Sequence, residues 1–204
     1  MKKLLIGLTT ALAAIIAAPQ STATTFWDGS RPEKCFTFGP RLGFNVSYID
    51  GDWVNTSSKM GLNVGIAAEF PIVKTLWVST GIFYSEKGSK IKVYDFEKGN
   101  RFKTTQKLNY IDIPIYASYR MLFDFGGQLQ FNLGPYIGIG VSSNHDAYNN
   151  GIRRFDLGIG TGAAFVYKNM YAGMNYQAGE LTLDDENDID LYNYNFSMSI
   201  GYNF

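Results

Sequence analysis

From residue 192 to the C-terminus, every second side chain is large and apolar. Tyr192, Tyr194, Phe196, Met198, Ile200, Tyr202 and Phe204 alternate with Asn193, Asn195, Ser197, Ser199, Gly201 and Asn203. A helix advances about 100° per residue and would scatter the two sets around its circumference. A strand sends successive side chains to opposite faces, so this segment is a strand with one bulky apolar face and one face of small polar groups.

The pattern recurs in seven earlier segments, over residues 36–48, 60–70, 76–87, 105–121, 128–142, 153–166 and 170–178. In 36–48, Phe36, Phe38, Leu42, Phe44 and Val46 oppose Thr37, Gly39, Arg41, Gly43, Asn45 and Ser47. In 128–142, Leu129, Phe131, Leu133, Ile137, Ile139 and Val141 oppose Gln128, Gln130, Asn132, Gly134, Gly138 and Gly140. A water-soluble barrel fills its inside with apolar bulk and shows charge to solvent. Here the polar set is Gly, Ser and Asn, and the chain as a whole is 16% aromatic and 18% charged. Small polar groups suit a narrow lumen and large apolar ones suit lipid. In hydrocarbon every backbone N–H and C=O needs a partner within the protein, which forces the sheet to close.

The connections alternate as well. Residues 71–75, 122–127 and 168–169 are short links, whereas 49–59, 88–104, 143–152 and 179–191 are longer and more polar. Short periplasmic turns and long outer loops characterise outer-membrane barrels. The expected fold is therefore all-β, an eight-stranded antiparallel up-and-down transmembrane β-barrel over residues 36–204. Pro40, Pro114 and Pro135 fall inside its strands, where each removes a ladder hydrogen bond, and local bulges are expected to absorb them.

The N-terminus reads as an export signal over residues 1–23. Lys2 and Lys3 precede an apolar run over 4–18, and Ser21 and Ala23 form a small-x-small cleavage site that would start the mature chain at Thr24. Residues 24–35 are then a periplasmic N-terminal segment. No later stretch is long and apolar enough for a membrane helix. The chain also closes on Phe204, with Tyr202 and Ile200 at alternating positions before it. That ending resembles the signal read by the barrel assembly machinery, an expected partner during biogenesis.

The segments 108–114 (Leu-Asn-Tyr-Ile-Asp-Ile-Pro), 133–138 (Leu-Gly-Pro-Tyr-Ile-Gly) and 155–160 (Phe-Asp-Leu-Gly-Ile-Gly) resemble three successive strands of the PorT-like outer-membrane β-barrel family. The resemblance covers essentially the whole mature chain. It implies the fold and an outer-membrane location; some members are tied to a protein-secretion system, a role that fold motifs alone do not carry.

Six charges fall on the inward face: Arg41, Glu69, Asp112, Arg120, Arg154 and Asp156. Strand directions put Arg41, Glu69 and Arg120 toward the periplasmic end and Asp112, Arg154 and Asp156 higher. An unpaired buried charge costs several kcal/mol, so these groups are expected to pair into a plug that fills the lumen. His145, the one histidine, lies in the third outer loop beside Asn144 and Asp146. Asp184, Asp185, Glu186, Asp188 and Asp190 form an acidic last outer loop without the spacing of an EF-hand. Cys35 is the one cysteine, so no intramolecular disulfide forms. No catalytic set, cofactor motif or metal-ligand spacing is present. A formal net charge of zero with no basic stripe argues against nucleic acid.

The expected role is a non-enzymatic outer-membrane barrel acting structurally or through binding by its outer loops, with outer-membrane lipid as its surroundings. The family resemblance extends this to secretion or envelope maintenance. Two alternatives belong to other classes. A lipid-modifying enzyme would need His145 at the outer rim, and a small-solute channel would need more bore than eight strands provide.

Overall fold

The computed structural model describes residues 23–25, 27–33, 35–51, 56–95, 100–144, 154–179 and 191–204. A short strand, β1 (Ala23–Thr25), precedes eight long ones: β2 (Thr37–Gly51), β3 (Thr56–Val73), β4 (Leu76–Asp95), β5 (Asn100–Phe123), β6 (Gly127–Ser143), β7 (Phe155–Tyr167), β8 (Met170–Gly179) and β9 (Leu191–Tyr202). Each long strand pairs antiparallel with its neighbours in sequence, and β9 pairs with β2 to close the sheet. The expected eight-stranded barrel is the observed one.

Hydrophobic alternation sorts onto the two faces as the sequence requires. Leu42, Ile66, Ile82, Leu133 and Ile200 all point outward and are more than half exposed. Around the end with the short turns, aromatic rings form a band: Phe36 with Phe70, Phe38 with Phe204, and Phe123 with Phe125, at centroid distances of 6.4, 5.5 and 5.3 Å. Toward the other end, Tyr194 stacks between Tyr48 and Tyr176, at 5.1 and 6.4 Å. From Tyr194 to Phe204 is about 33 Å along an extended strand. At the usual strand tilt of about 40° this gives an apolar band about 25 Å tall, the height that a bilayer core demands.

Three expectations need correction. The segment 88–104, read as a loop, is mostly hairpin: β4 and β5 keep one register from Lys87↔Leu108 to Asp95↔Asn100. About ten residues are enough to cross a membrane in a tilted strand, so this 20- and 24-residue pair projects past the bilayer. Its lysines and glycines, among them Gly88, Lys90, Lys92, Lys98 and Gly99, have the composition of a connection and hid the strand. The prolines cause no bulge. Register runs unbroken through Gly39↔Ala67, Pro40↔Ile66 and Arg41↔Gly65, and Pro135 pairs with Ile159 in sequence with its neighbours. A proline forfeits one hydrogen bond to one neighbour and leaves strand length unchanged, so no extra residue is required. At Pro114 the Thr80 hydroxyl donates to its carbonyl at 2.7 Å. Register shifts between the long strands lie at Ser58/Asn63 and, beside the β3–β4 turn, at Pro71/Val73, and at Asn109/Tyr110 between β5 and β6.

The lumen also holds more bulk than small polar residues alone. Trp77, Tyr110, Tyr116, Tyr136 and Tyr171 are buried inside it. Two inward glycines make room for these rings: a Cβ on Gly160 would run into the Tyr116 hydroxyl, and one on Gly173 into that of Tyr171.

The segment before β2 is tied to the end with the short turns. β1 pairs with the end of β5 (Ala23↔Phe123). Lys74 N donates to Ser30 O at 3.1 Å, and Thr75 Oγ1 donates to Asp28 O at 3.2 Å while accepting from Asp28 N at 3.3 Å. The export signal expected over 1–23 lies, apart from Ala23, outside the described residues.

Candidate functional site

Side chains of opposite charge converge at two levels of the lumen. At the end with the short turns, Glu69 on β3 is the hub. Arg120 on β5 donates to Glu69 Oε2 through Nη2 at 2.6 Å, Thr37 on β2 donates to the same oxygen at 3.0 Å, and Arg41 Nη2 lies 3.9 Å from Oε1. Each guanidinium also lies against an aromatic ring: Arg120 is 3.6 Å from the Trp77 centroid and Arg41 is 3.9 Å from that of Tyr171. A planar, weakly hydrated guanidinium tolerates this environment because the ring face supplies part of the lost solvation.

At the second level Lys87 on β4 is the hub. Its Nζ lies 2.9 Å from Asp112 Oδ1 on β5 and 3.8 Å from Asp156 Oδ2 on β7. Asp156 Oδ2 also accepts from the Tyr136 hydroxyl at 3.1 Å and from Asn193 Nδ2 at 3.0 Å. The ammonium sits 5.2 and 5.0 Å from the rings of Tyr110 and Tyr136. Two carboxylates share one ammonium; the phenol and amide hydrogens both go to Asp156 Oδ2, and its Oδ1 meets no protein donor. Nearer the outer rim, Lys59 pairs with Glu86 at 2.8 Å and donates to the Lys87 carbonyl at 3.3 Å.

Between the levels lies a cavity of about 60 Å³, bordered by Arg41, Glu69, Asp112, Tyr116, Asn132 and Gln177. Asn132 Oδ1 meets no protein donor there. The space suffices for a few waters, which such a polar lining would hold.

Of the six charges expected inside, the structure gathers five: Arg41, Glu69, Asp112, Arg120 and Asp156. Arg154 is the exception. It shares the parity of Asp156, but β7 begins at Phe155, so Arg154 sits beyond the end of the wall and is exposed. Lys87 and Lys59 were missed, although parity would have found both. Lys87 follows Ser79, Gly81 and Ser85 at even spacing, and Lys59 precedes Gly61, Asn63 and Gly65 in the same way. Cys35 is exposed. His145 and the acidic set Asp184, Asp185, Glu186, Asp188 and Asp190 lie outside the described residues. Among the described residues no group of three His, Cys, Asp or Glu side chains is placed to hold a metal.

The family described as "Outer membrane protein beta-barrel domain" matches residues 20–183. The chain belongs to this family. Its location is accordingly the outer membrane, and the end of this outer membrane protein barrel that carries the short turns is the periplasmic one. OprG from Pseudomonas aeruginosa is 11% identical over 86% of this chain and 99% of its own, with a TM-score of 0.52, and shares the fold. Neisserial surface protein A (16% identity, 84% of this chain, 98% of its own, TM-score 0.42) and the attachment invasion locus protein Ail of Yersinia pestis (13%, 82%, 98%, 0.42) also match. No curated protein matches it.

Proposed function

We propose that this barrel is a non-enzymatic, monomeric envelope protein that acts through its surfaces rather than its bore. The observation that supports this reading is the filled lumen. Two ion-paired levels, each packed against aromatic rings, stack across the axis, and the space left between them is about 60 Å³. An eight-stranded barrel has an interior wide enough for its own side chains, and here those side chains occupy it. The long connections at the outer end are then the parts available for recognition. A link to secretion or envelope maintenance, with export on a cleaved signal over residues 1–23, completes this reading.

Two measurements test this reading. Barrels reconstituted in vesicles should pass arabinose no faster than empty vesicles, and the intact barrel used as bait in native membranes should retain a partner that loop-shortened barrels lose. Swelling above the empty-vesicle rate would replace this reading with that of a narrow channel.

A further inference from the structure

Where β7 meets β8 the lipid-facing wall carries small side chains, Ala163 and Ala172, among bulky ones. Register there aligns two tiers of outward side chains. One runs Phe44, Met198, Met174, Ala163, and the next, nearer the periplasm, runs Leu42, Ile200, Ala172, Phe165. Ala163 and Ala172 stand diagonally between Met174 and Phe165, and they floor a groove of about 620 Å³ whose lining is almost wholly apolar.

The groove lies just above the periplasmic aromatic band. The tier below it is Tyr167, Met170 and Tyr202. The β7–β8 turn then presents Lys168, which is exposed and held in the left-handed region at φ 55°. Its ammonium leans over the outward ring of Tyr167, 5.5 Å from the centroid. Lys168 follows Phe165 by three residues, about 10 Å along the strand. An apolar slot inside the hydrocarbon band with a cation at the interface below it matches one molecule: a phospholipid of the periplasmic leaflet, chain upward and phosphate downward. A cation near the surface attracts an anionic headgroup.

We propose that the Ala163–Ala172 groove is a phospholipid site, which holds one acyl chain against the β7–β8 wall and the headgroup phosphate at Lys168.

Native mass spectrometry of the barrel released from nanodiscs containing dioleoyl phosphatidylglycerol tests this. The unmodified barrel should retain one lipid at collision energies that strip the rest. Ala163→Phe with Ala172→Phe fills the slot and should lower that retention at least fivefold, whereas Ala117→Phe, on the outward face of β5, should leave it unchanged. Lys168→Ala, which alters no wall residue, should abolish any preference for phosphatidylglycerol over phosphatidylcholine. Equal retention by the filled and unmodified barrels would overturn the site. So would a dimer mass for the unmodified barrel that the filled variant lacks, because the groove would then seat a second copy.

Discussion

Lys87 on β4 and Asp156 on β7 meet across the lumen, 3.8 Å apart and with neither side chain reached by solvent. The pair joins opposite walls of the barrel, and Asp112 closes the triangle at 2.9 Å from the same ammonium. Lys87→Met leaves two carboxylates in the interior without a counter-charge. Removing one partner of a buried pair costs about 3–5 kcal/mol, and urea unfolding of the barrel in lipid vesicles should show a loss of that size. Adding Asp112→Asn and Asp156→Asn to Lys87→Met should recover most of it, since no charge then remains to be compensated.

Packing between Tyr116 and Gly160 predicts a different kind of failure. The tyrosine hydroxyl occupies the space that a side chain on Gly160 would take. Gly160→Leu should therefore destabilise by about 1–3 kcal/mol, the usual range for overpacking. Combining it with Tyr116→Ala should restore stability toward the unmodified value. Independent, additive losses in the double variant would show that the two positions do not share that space.

The outward face gives the strongest contrast between neighbouring residues. Leu133 and Asn132 adjoin on β6, one 60% exposed to the surroundings and the other 5%. Leu133→Arg should cost about 2–4 kcal/mol on folding into vesicles, as expected for a cation near the bilayer midplane. Asn132→Ala removes an amide whose oxygen meets no protein donor, and should change stability far less. The reverse order would place lipid on the wrong side of the sheet.

At the periplasmic end, hydrogen bonds from Ser30 and then the Lys74 ammonium hold the Asp28 carboxyl below its usual range. A depressed folded-state value means that the ionised form contributes to anchoring above the unfolded value of about 3.9. That contribution is lost as the pH falls through the lowered value. The Lys74 amide, bonded to Ser30 O, is the reporter. Its hydrogen exchange, corrected for intrinsic rate, should accelerate on acidification in this range. In Asp28→Asn that pH dependence should vanish.

Strand number, order and the lipid-facing set were legible because period two is a local property, read from each segment without knowing its neighbours. The lumen was legible only in part. Parity assigns Asp112 and Asp156 inward, but the register between strands sets their heights, so the sharing of Lys87 between them needs three-dimensional information. The inward aromatic residues were hard to read for a related reason. Tyr116 and Tyr171 stand on the inward parity, but only the fold shows that Gly160 and Gly173 leave room for their rings. Arg154 shows the limit at strand ends, where parity continues but the wall does not. The upper halves of β4 and β5 were hidden because lysine and glycine between Gly88 and Lys103 give the segment the composition of a connection.

The seam between β2 and β9 brings together the first and last long strands, with Phe204 N bonded to Phe38 O at 2.8 Å and Arg41 Nη1 to Tyr202 O at 3.1 Å. These partners are more than 160 positions apart. No earlier pairing makes this contact local, so the cylinder has two raw edges until the final strand arrives. Contacts of such long sequence separation slow folding, and unpaired edges invite other chains. The last dozen residues therefore decide when the sheet loses its open edges.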